Sequence, residues 1–252
     1  MVSVVVPAYN EEQALPHTLE TLLRQEGAYE VILVDGGSSD RTRAIAESFG
    51  FISAADQAHH PPQSSPPSGD RSGDTSPSYR ILTATKGRAS QMNTGARAAR
   101  GEWLLFLHAD TILPPGAIRR LNEMQSELAV QAGGFMHQFS GSDWRLKCIS
   151  FLDNVRCRCS HVIYGDQALF VRRTLFERIG GFPNQPILED VAFCERLLTV
   201  TLPVVLSPPV VTDARKFVKM GIWKSFVRVL LIILHVEFHL PILPRAFFQD
   251  IR

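Results

Sequence analysis

The sequence is short of cysteine, of net charge and of long apolar runs, and each shortage excludes something. Its 252 residues include four cysteines, Cys148, Cys157, Cys159 and Cys194. They form no CxxC pair and no zinc-finger spacing, and Cys157-Arg158-Cys159 is too tight for an ordinary disulfide framework. That usage fits a reducing cytoplasm better than an oxidising compartment. The formal net charge of +1 gives no overall field that would favour nucleic acid. The uninterrupted apolar run near the end, Val229–Leu234, is far short of the ~18 residues that a membrane-spanning helix needs. The chain opens directly on strand-like residues without a basic leader, which reads as the absence of a secretory signal peptide. At the first turn, AYNEEQ stands where a dinucleotide site would carry G-x-G-x-x-G.

What is present points to an α/β protein. With 45% hydrophobic residues the chain can bury a sizeable core, as one large domain or two small ones. Apolar runs and helical patterns alternate. Val2–Pro7, Glu30–Asp35, Arg80–Ala84 and Trp103–Leu107 read as strands. Glu12–Arg24, the stretch from Asp40 (as cap) to about Phe49, and Arg88–Arg100 (stopped by Gly101) read as helices. That order implies a mostly parallel, doubly wound sheet flanked by helices. Later the alternation loosens. Pro115–Leu128, Trp144–Arg158 and Glu189–Leu198 are expected as helices, Gly133–Phe139 and Tyr164–Arg172 as strands.

The strand ends carry the chemistry. In open α/β sheets ligands bind beyond the carboxyl ends of the strands. VSVVVPAYNEE delivers Asn10 and Glu11 there, EVILVDGGSSD delivers Asp35, and WLLFLHAD delivers His108 and Asp110. Convergent carboxylates at a sheet rim can hold a divalent cation, with Asp110 as the ligand. Lys86 and Arg88 flank Gly87 where a helix begins, and a cation beside free N–H groups makes an anion site. Each feature also has a plainer reading: Asp35 as a turn former in DGGSSD, Glu11 as a helix-start charge, Arg88 as a solvated cation.

Six segments occur in a fixed order: PAYNEE, VDGGSSD, KGRASQMNTGARAARG, LHAD, GGF and LED. In that order they resemble the family-2 glycosyltransferases of the GT-A fold, and the likeness spans nearly the whole chain. The compact size, HAD, YGDQ and ARKF look closest to a small bacterial subgroup associated by name with arsenosugar biosynthesis. The resemblance implies an inverting, non-processive transfer of sugar from a nucleoside diphosphate donor, most often a UDP-sugar, to an acceptor hydroxyl. It implies a divalent cation, Mn²⁺ or Mg²⁺. Asp190 of the Glu189-Asp190 pair would be the general base. Asp35 would read the base of the nucleotide, whose pocket Pro7, Ala8, Asn10 and Glu11 would line. Lys86, Arg88 and Asn93 would face the donor, joined by Arg215 and Lys216 over the diphosphate. Asp166 and Gln167 of YGDQ would lie on the acceptor side, Asp166 either orienting the acceptor or satisfying a loop backbone.

The chain departs from the pattern in three places. His108 stands at the first acidic position of the family's Asp-x-Asp motif, either favouring manganese or hydrogen-bonding a phosphate. Gly36 replaces a frequent second acid. Asp213 and Phe217 replace the Gln and Trp of the Gln-x-x-Arg-Trp motif of processive relatives, so a processive synthase is not expected. A nucleotide-sugar pyrophosphorylase is the rival enzyme class, though the glycine-rich loop with arginine expected after its first strand is missing. A catalytically degenerate binding module is the non-enzymatic alternative.

The expected organisation is a catalytic domain over 1–214, with a nucleotide half to about 110, an acceptor half beyond it and a disordered Pro/Ser/Gly-rich insertion over 53–79. Residues 215–252 form a basic segment. Seven Lys/Arg against Glu237 and Asp250 give +5, leaving −4 for the preceding residues of a chain whose total is +1. Phe226, Val227, Leu230, Leu231, Leu234 and Phe238 form an apolar stripe beside a basic one. Two placements fit it: packed on the protein's own domain, or lying over 222–240 on the inner face of the plasma membrane, where it would suit a lipid acceptor over a small soluble one.

Overall fold

The computed structural model describes residues 1–53, 78–185 and 187–236. Most of the insertion expected over 53–79, and the tail stripe beyond residue 236, lie outside them.

The described strands form one sheet. They are β1 (Val2–Ala8), β2 (Tyr29–Asp35), β3 (Ile52–Ser53), β4 (Tyr79–Thr83), β5 (Trp103–Phe106), β6 (Thr111–Ile112), β7 (Ala132–Phe139), β8 (Phe170–Arg172) and β9 (Val204–Thr212). Their order across the sheet is β3-β4-β2-β1-β5-β8-β7-β9-β6. The stretch from β3 to β5 is parallel. β8 runs antiparallel between β5 and β7, while β7 and β9 are parallel.

Both faces are covered, so the central strands read as unbroken apolar runs rather than alternating ones. Val2, Val4 and Val6 of β1 and Trp103 and Leu105 of β5 pack with Leu15 and Leu19 of α1 (Leu15–Leu22) and Ile118 of α4 (Ala117–Glu123). Val5, Leu104 and Phe106 point to the other face. There they meet Met92 of α3 (Arg88–Ala98) and Phe193 and Leu197 of α7 (Glu189–Leu198). Contact there is close: a Cβ on Gly95 of α3 would fall 2.3 Å from Val5 Cγ1.

The parallel half is pinned at its other end by a buried polar staple. Glu30 accepts from Arg80 at 2.7 Å, from Ser3 Oγ at 2.6 Å and from the Arg100 amide at 2.6 Å, and so ties β1, β2, β4 and the α3–β5 turn together. Removing one partner of this carboxylate would leave a buried charge uncompensated and would be strongly destabilising.

Several elements differ from the sequence-based expectation for identifiable reasons. α1 starts at Leu15 rather than Glu12, because the Glu11 and Glu12 amides donate to Thr42 Oγ1 and Asp40 Oδ2 instead of entering a helix. The N-cap of α2 (Thr42–Ser48) is Arg41 rather than Asp40, which lies one residue ahead and accepts from the Thr42 amide at 2.9 Å. Gly101 is not a left-handed stop. Its need is close approach, since a Cβ there would sit 2.6 Å from the Ser3 amide nitrogen. Of the strand expected over Tyr164–Arg172 only Phe170–Arg172 is extended. Gly165–Gln167 forms a 3₁₀ turn in which Gln167 accepts from the Tyr164 amide. β9 was not foreseen because Pro208 and Pro209 interrupt its pattern. Prolines lack an N–H, and the β7 pairing with β9 slips there, between Phe135 and His137.

The remaining helices lie in the second half of the chain: α5 (Trp144–Ser160), α6 (Arg173–Arg178), α8 (Arg215–Lys219) and α9 (Ile222–Val236). Phe139, Leu146, Ile149, Ala214 and Ile222 form a small separate core that seats α8 and α9 against α5.

Candidate active site

Because β1, β2, β4 and β5 are parallel, their carboxyl ends open on one edge. Gln91 of α3 knits this edge by donating to the carbonyls of Ala8, at 2.7 Å, and Val34, at 2.9 Å. The same amide fills the space beside Gly36, where an added Cβ would meet it at 3.0–3.3 Å. Pro7 and Ala8 are buried in β1, and the Ala8 carbonyl also accepts from the Gly36 amide.

Asp35 is buried, and its Oδ1 accepts from the Ser38 amide at 3.0 Å and the Ser38 hydroxyl at 2.6 Å. The turn-forming and the site reading therefore share one carboxylate, with Oδ1 holding the loop and Oδ2 outside those two bonds. Asn10, at φ +54°, bridges to the same loop: its amide donates to Ser38 Oγ and its Oδ1 accepts from the Ser39 amide. Lys86 lies over the Tyr9 ring, 4.1 Å from its centroid.

From this loop the contacts run on across the site. Lys216 of α8 donates to Glu11 Oε1 at 2.7 Å and to Asp110 Oδ2 at 3.3 Å. Beside it, Arg215 reaches Gln13 Oε1 at 2.8 Å. Next comes His108, whose ring abuts Gly165 so closely that a Cβ there would fall 2.5 Å from His108 Nε2 and 3.2 Å from Asp190 Oδ2. Asp190 is nearly buried in the first turn of α7 and is fixed through both oxygens. Oδ2 accepts from the Gly165 amide at 2.7 Å, and Oδ1 from the Val191 amide at 2.9 Å. Leu188, at φ +58°, bends the chain so that Glu189 and Asp190 open the helix, where its dipole favours acids. Glu189 is buried, 4.0 Å from Arg88, which begins α3.

The electrostatics follow from this packing. Burial brings the His108 imidazole down to about 4, with Arg88 adding to the effect and Asp110 and Asp190 opposing it. The ring is therefore neutral at pH 7 and can accept a hydrogen bond or ligate a metal. For Asp110, burial works against ionisation, but His108 and the Lys216 ammonium outweigh it and hold the carboxyl below its usual range. The donor set fits a divalent cation shared with a phosphorylated ligand. It offers one carboxylate and one neutral imidazole, whose ring is packed against Gly165. No group of three or more His, Cys, Asp or Glu residues able to hold a metal exists among the described residues, so further ligands would come from phosphate and water.

Asp166 lies 3.6 Å from His137 Nε2, and Asp153 lies 3.7 Å from His137 Nδ1. Burial raises the Asp166 carboxyl, with His137 pulling it back and Asp153 and Asp190 adding to the rise. Gln167 is different. It is fully buried, and its amide serves the fold by donating to the Phe135 carbonyl and accepting from the Tyr164 amide and Arg156. Asn93 likewise exchanges both amide bonds with the Phe182 backbone, joining α3 to the GGF turn. Gly165, Gln91 and His137 had no role in the sequence reading. YGDQ and KGRASQMNTGARAARG marked Gly165 and Gln91 only as parts of motifs, and no local signal marks His137.

Residues 3–56 and 71–180 match the model of glycosyl transferase family 2. The chain belongs to that family. Among its relatives is the undecaprenyl-phosphate 4-deoxy-4-formamido-L-arabinose transferase of Proteus mirabilis, 34% identical over 124 residues that make up 48% of this chain and 32% of that protein. The chain spans about a third of the length of several curated relatives that it matches. The fold is that of solved GT-A glycosyltransferases. Staphylococcus aureus TarS 1–349 in complex with UDP-GlcNAc superposes with a TM-score of 0.61 at 17% identity, covering 97% of this chain and 68% of that one. The mannosyltransferase PcManGT from Pyrobaculum calidifontis, in complex with GDP-Man and Mn²⁺, does so with a TM-score of 0.57 at 21% identity, covering 84% of this chain and 56% of that one.

Proposed function

We propose that the protein transfers a sugar from a nucleoside diphosphate donor, a UDP-sugar, to an acceptor hydroxyl with inversion at the anomeric carbon. The observation that carries this reading is the placement of Asp190. Its carboxylate is locked by the Gly165 and Val191 amides beside His108, next to a cluster in which Lys216 bridges Glu11 and Asp110. One base on one side and cationic groups on the other are what a single displacement requires.

Asp190 takes the proton of the acceptor hydroxyl as its oxygen attacks the anomeric carbon. The bond from that carbon to the diphosphate oxygen breaks in the same step, which inverts the centre. General-base help of this kind is worth roughly 10²–10⁴-fold. Lys216 and Arg88 offset the charge of the departing diphosphate. Asp110 and His108 would hold a divalent cation, which supplies further stabilisation of that leaving group when bound. Asp35 reads uracil by accepting its imide N–H. Complexes of structural neighbours with UDP-GlcNAc, and with GDP-Man and Mn²⁺, support a sugar nucleotide and a divalent cation as ligands.

The catalytic unit is the segment 1–214, with 215–236 closing over its donor edge through Arg215 and Lys216. No helix of the described residues is long and apolar enough to cross a membrane. α9 supports contact with the cytoplasmic face of a bilayer, since Trp223, Val227 and Leu230 are exposed on it. The name of the Proteus relative supports a lipid-linked acceptor.

The test is a panel of UDP-, GDP-, CDP- and dTDP-sugars with Mn²⁺ or Mg²⁺, read by released nucleoside diphosphate. Metal-dependent release from a UDP-sugar is expected. Tight binding with no release from any donor would reduce the protein to a binding module.

A further inference from the structure

A cavity of about 840 Å³ opens beside the proposed base, within the size range of small-molecule sites. Leu188 and Val191, which flank Asp190 in the chain, line it, as do Tyr164 and Asp166, which flank Gly165. Its body runs between α5, α7 and α9 and is walled mainly by apolar side chains such as Ile149, Leu198, Val229 and Ile233. At its rim Leu152 and Val155 of α5 and Leu230 of α9 are 51%, 44% and 43% exposed, so apolar wall continues out to the surface.

Glu195 and Ser160 also line the cavity, but four of its polar groups, His137, Asp153, Arg156 and Asp166, lie together. His137 is 2% exposed, and neither of its ring nitrogens has a hydrogen-bond partner. Asp166 Oδ1 is likewise buried without a hydrogen bond. Asp153 is held by Arg156 at 2.9 Å, and Arg156 lies over the Tyr164 ring, 3.7 Å from its centroid. Buried polar atoms without partners are uncommon and point to a missing polar group. The balance of charge says which kind. Asp153, Asp166 and neighbouring Asp190 face one arginine and a histidine, so an anionic headgroup is repelled, whereas a neutral hydroxyl can bond to both His137 and Asp166.

We propose that this cavity is the acceptor site and takes a long-chain, neutral alcohol, with its hydrocarbon body between α5 and α9 and its hydroxyl at the His137–Asp166 pair beside Asp190. The inference rests on the glycosyl-transfer reading for its chemistry and names the acceptor class for the acceptor part of that same site. His137 and Asp166 are positioning residues: they hold the hydroxyl that Asp190 deprotonates. An anionic lipid phosphate, the acceptor type named for the Proteus relative, is the competing occupant that the charge pattern disfavours.

The experiment compares a pyrene-labelled dodecanol with the matching dodecanoate, binding being read by energy transfer from the protein's tryptophans, and measures UDP binding with Mn²⁺ on the same preparations. The alcohol should bind at least about tenfold more tightly than the acid, because the acid's charge would be buried against carboxylates. Val155→Trp and Ile233→Trp, which narrow the cavity at two separate points, should each weaken alcohol binding while leaving UDP binding unchanged. Asp166→Asn should narrow the gap between alcohol and acid. Preference for the acid, or alcohol binding indifferent to both tryptophan substitutions, would overturn the assignment. So would uptake of neither probe by a protein that sediments as a dimer, which would give the face to a second copy. Alcohol uptake without UDP binding would sink the donor reading and leave the cavity assignment standing; UDP binding without alcohol uptake would do the reverse.

Discussion

Gly165 shows how much of the site rests on a residue with no side chain. Its amide holds Asp190, and its bare Cα lets the His108 ring approach. Gly165→Ala should therefore displace His108 or Asp190 without unfolding the sheet. A misplacement of about 1 Å can lower turnover by roughly 10²-fold, which steady-state kinetics beside a circular dichroism melt would register. Asp166 offers a prediction in pH. Its folded value is raised, mainly by burial, so the group contributes most favourably when protonated. That contribution is complete below the unfolded value of about 3.9 and is lost as pH rises through the folded value. Asp166→Asn should accordingly raise the melting temperature near neutrality, with a larger gap over the parent at about pH 7.5 than at about pH 5. A gap that widens on acidification would show that attraction to His137, not burial, governs the group.

Among the elements, the strands and their carboxyl ends were the most legible in the sequence. A strand covered on both faces is apolar throughout, so the point where WLLFL gives way to His108-Ala109-Asp110 marks the rim of the sheet without ambiguity. α7 was legible for a related reason, since Glu189 and Asp190 open an amphipathic run. What stayed hidden depends on contacts between distant elements. Asp153 on α5 meets His137 of β7, next to the register shift between β7 and β9, and no local pattern reports that contact. Helix α8 is the other case. Arg215 and Lys216 were read as donor-side cations, yet nothing in the sequence gives the reach of Lys216 to Glu11 and Asp110 across the site. Lys216 is well exposed, and such ion pairs contribute only ~0–1 kcal/mol to folding. Lys216→Met should then leave the melting temperature nearly unchanged. If the ammonium holds a diphosphate, nucleotide affinity should fall by roughly ten- to a hundredfold, since hydrogen bonds to charged groups are worth roughly 1.5–3 kcal/mol. Calorimetric titration with UDP separates the two outcomes. Equal affinity in both proteins would leave α8 as a simple basic rim.

The whole molecule divides its labour along the sheet. The parallel half, stapled through Glu30 and Arg80, presents Asn10, Asp35 and Asp110 on one edge. The antiparallel insertion of β8, with α7 behind it, brings Gly165 and Asp190 up to that edge. α5, α8 and α9 then pack over a core of their own. On the proposed reading such an arrangement separates holding the donor from activating the acceptor, and the two can be removed one at a time. The most direct test measures transfer and Mn²⁺-dependent UDP binding side by side in Asp190→Asn and Asp110→Asn. The first substitution should reduce transfer by at least roughly 10²-fold with UDP binding essentially intact, as loss of a general base demands. The second should weaken Mn²⁺-dependent binding itself. If Asp190→Asn weakened binding and transfer equally, or if Asp110→Asn left the manganese dependence untouched, the division of roles assigned to these two carboxylates would be contradicted.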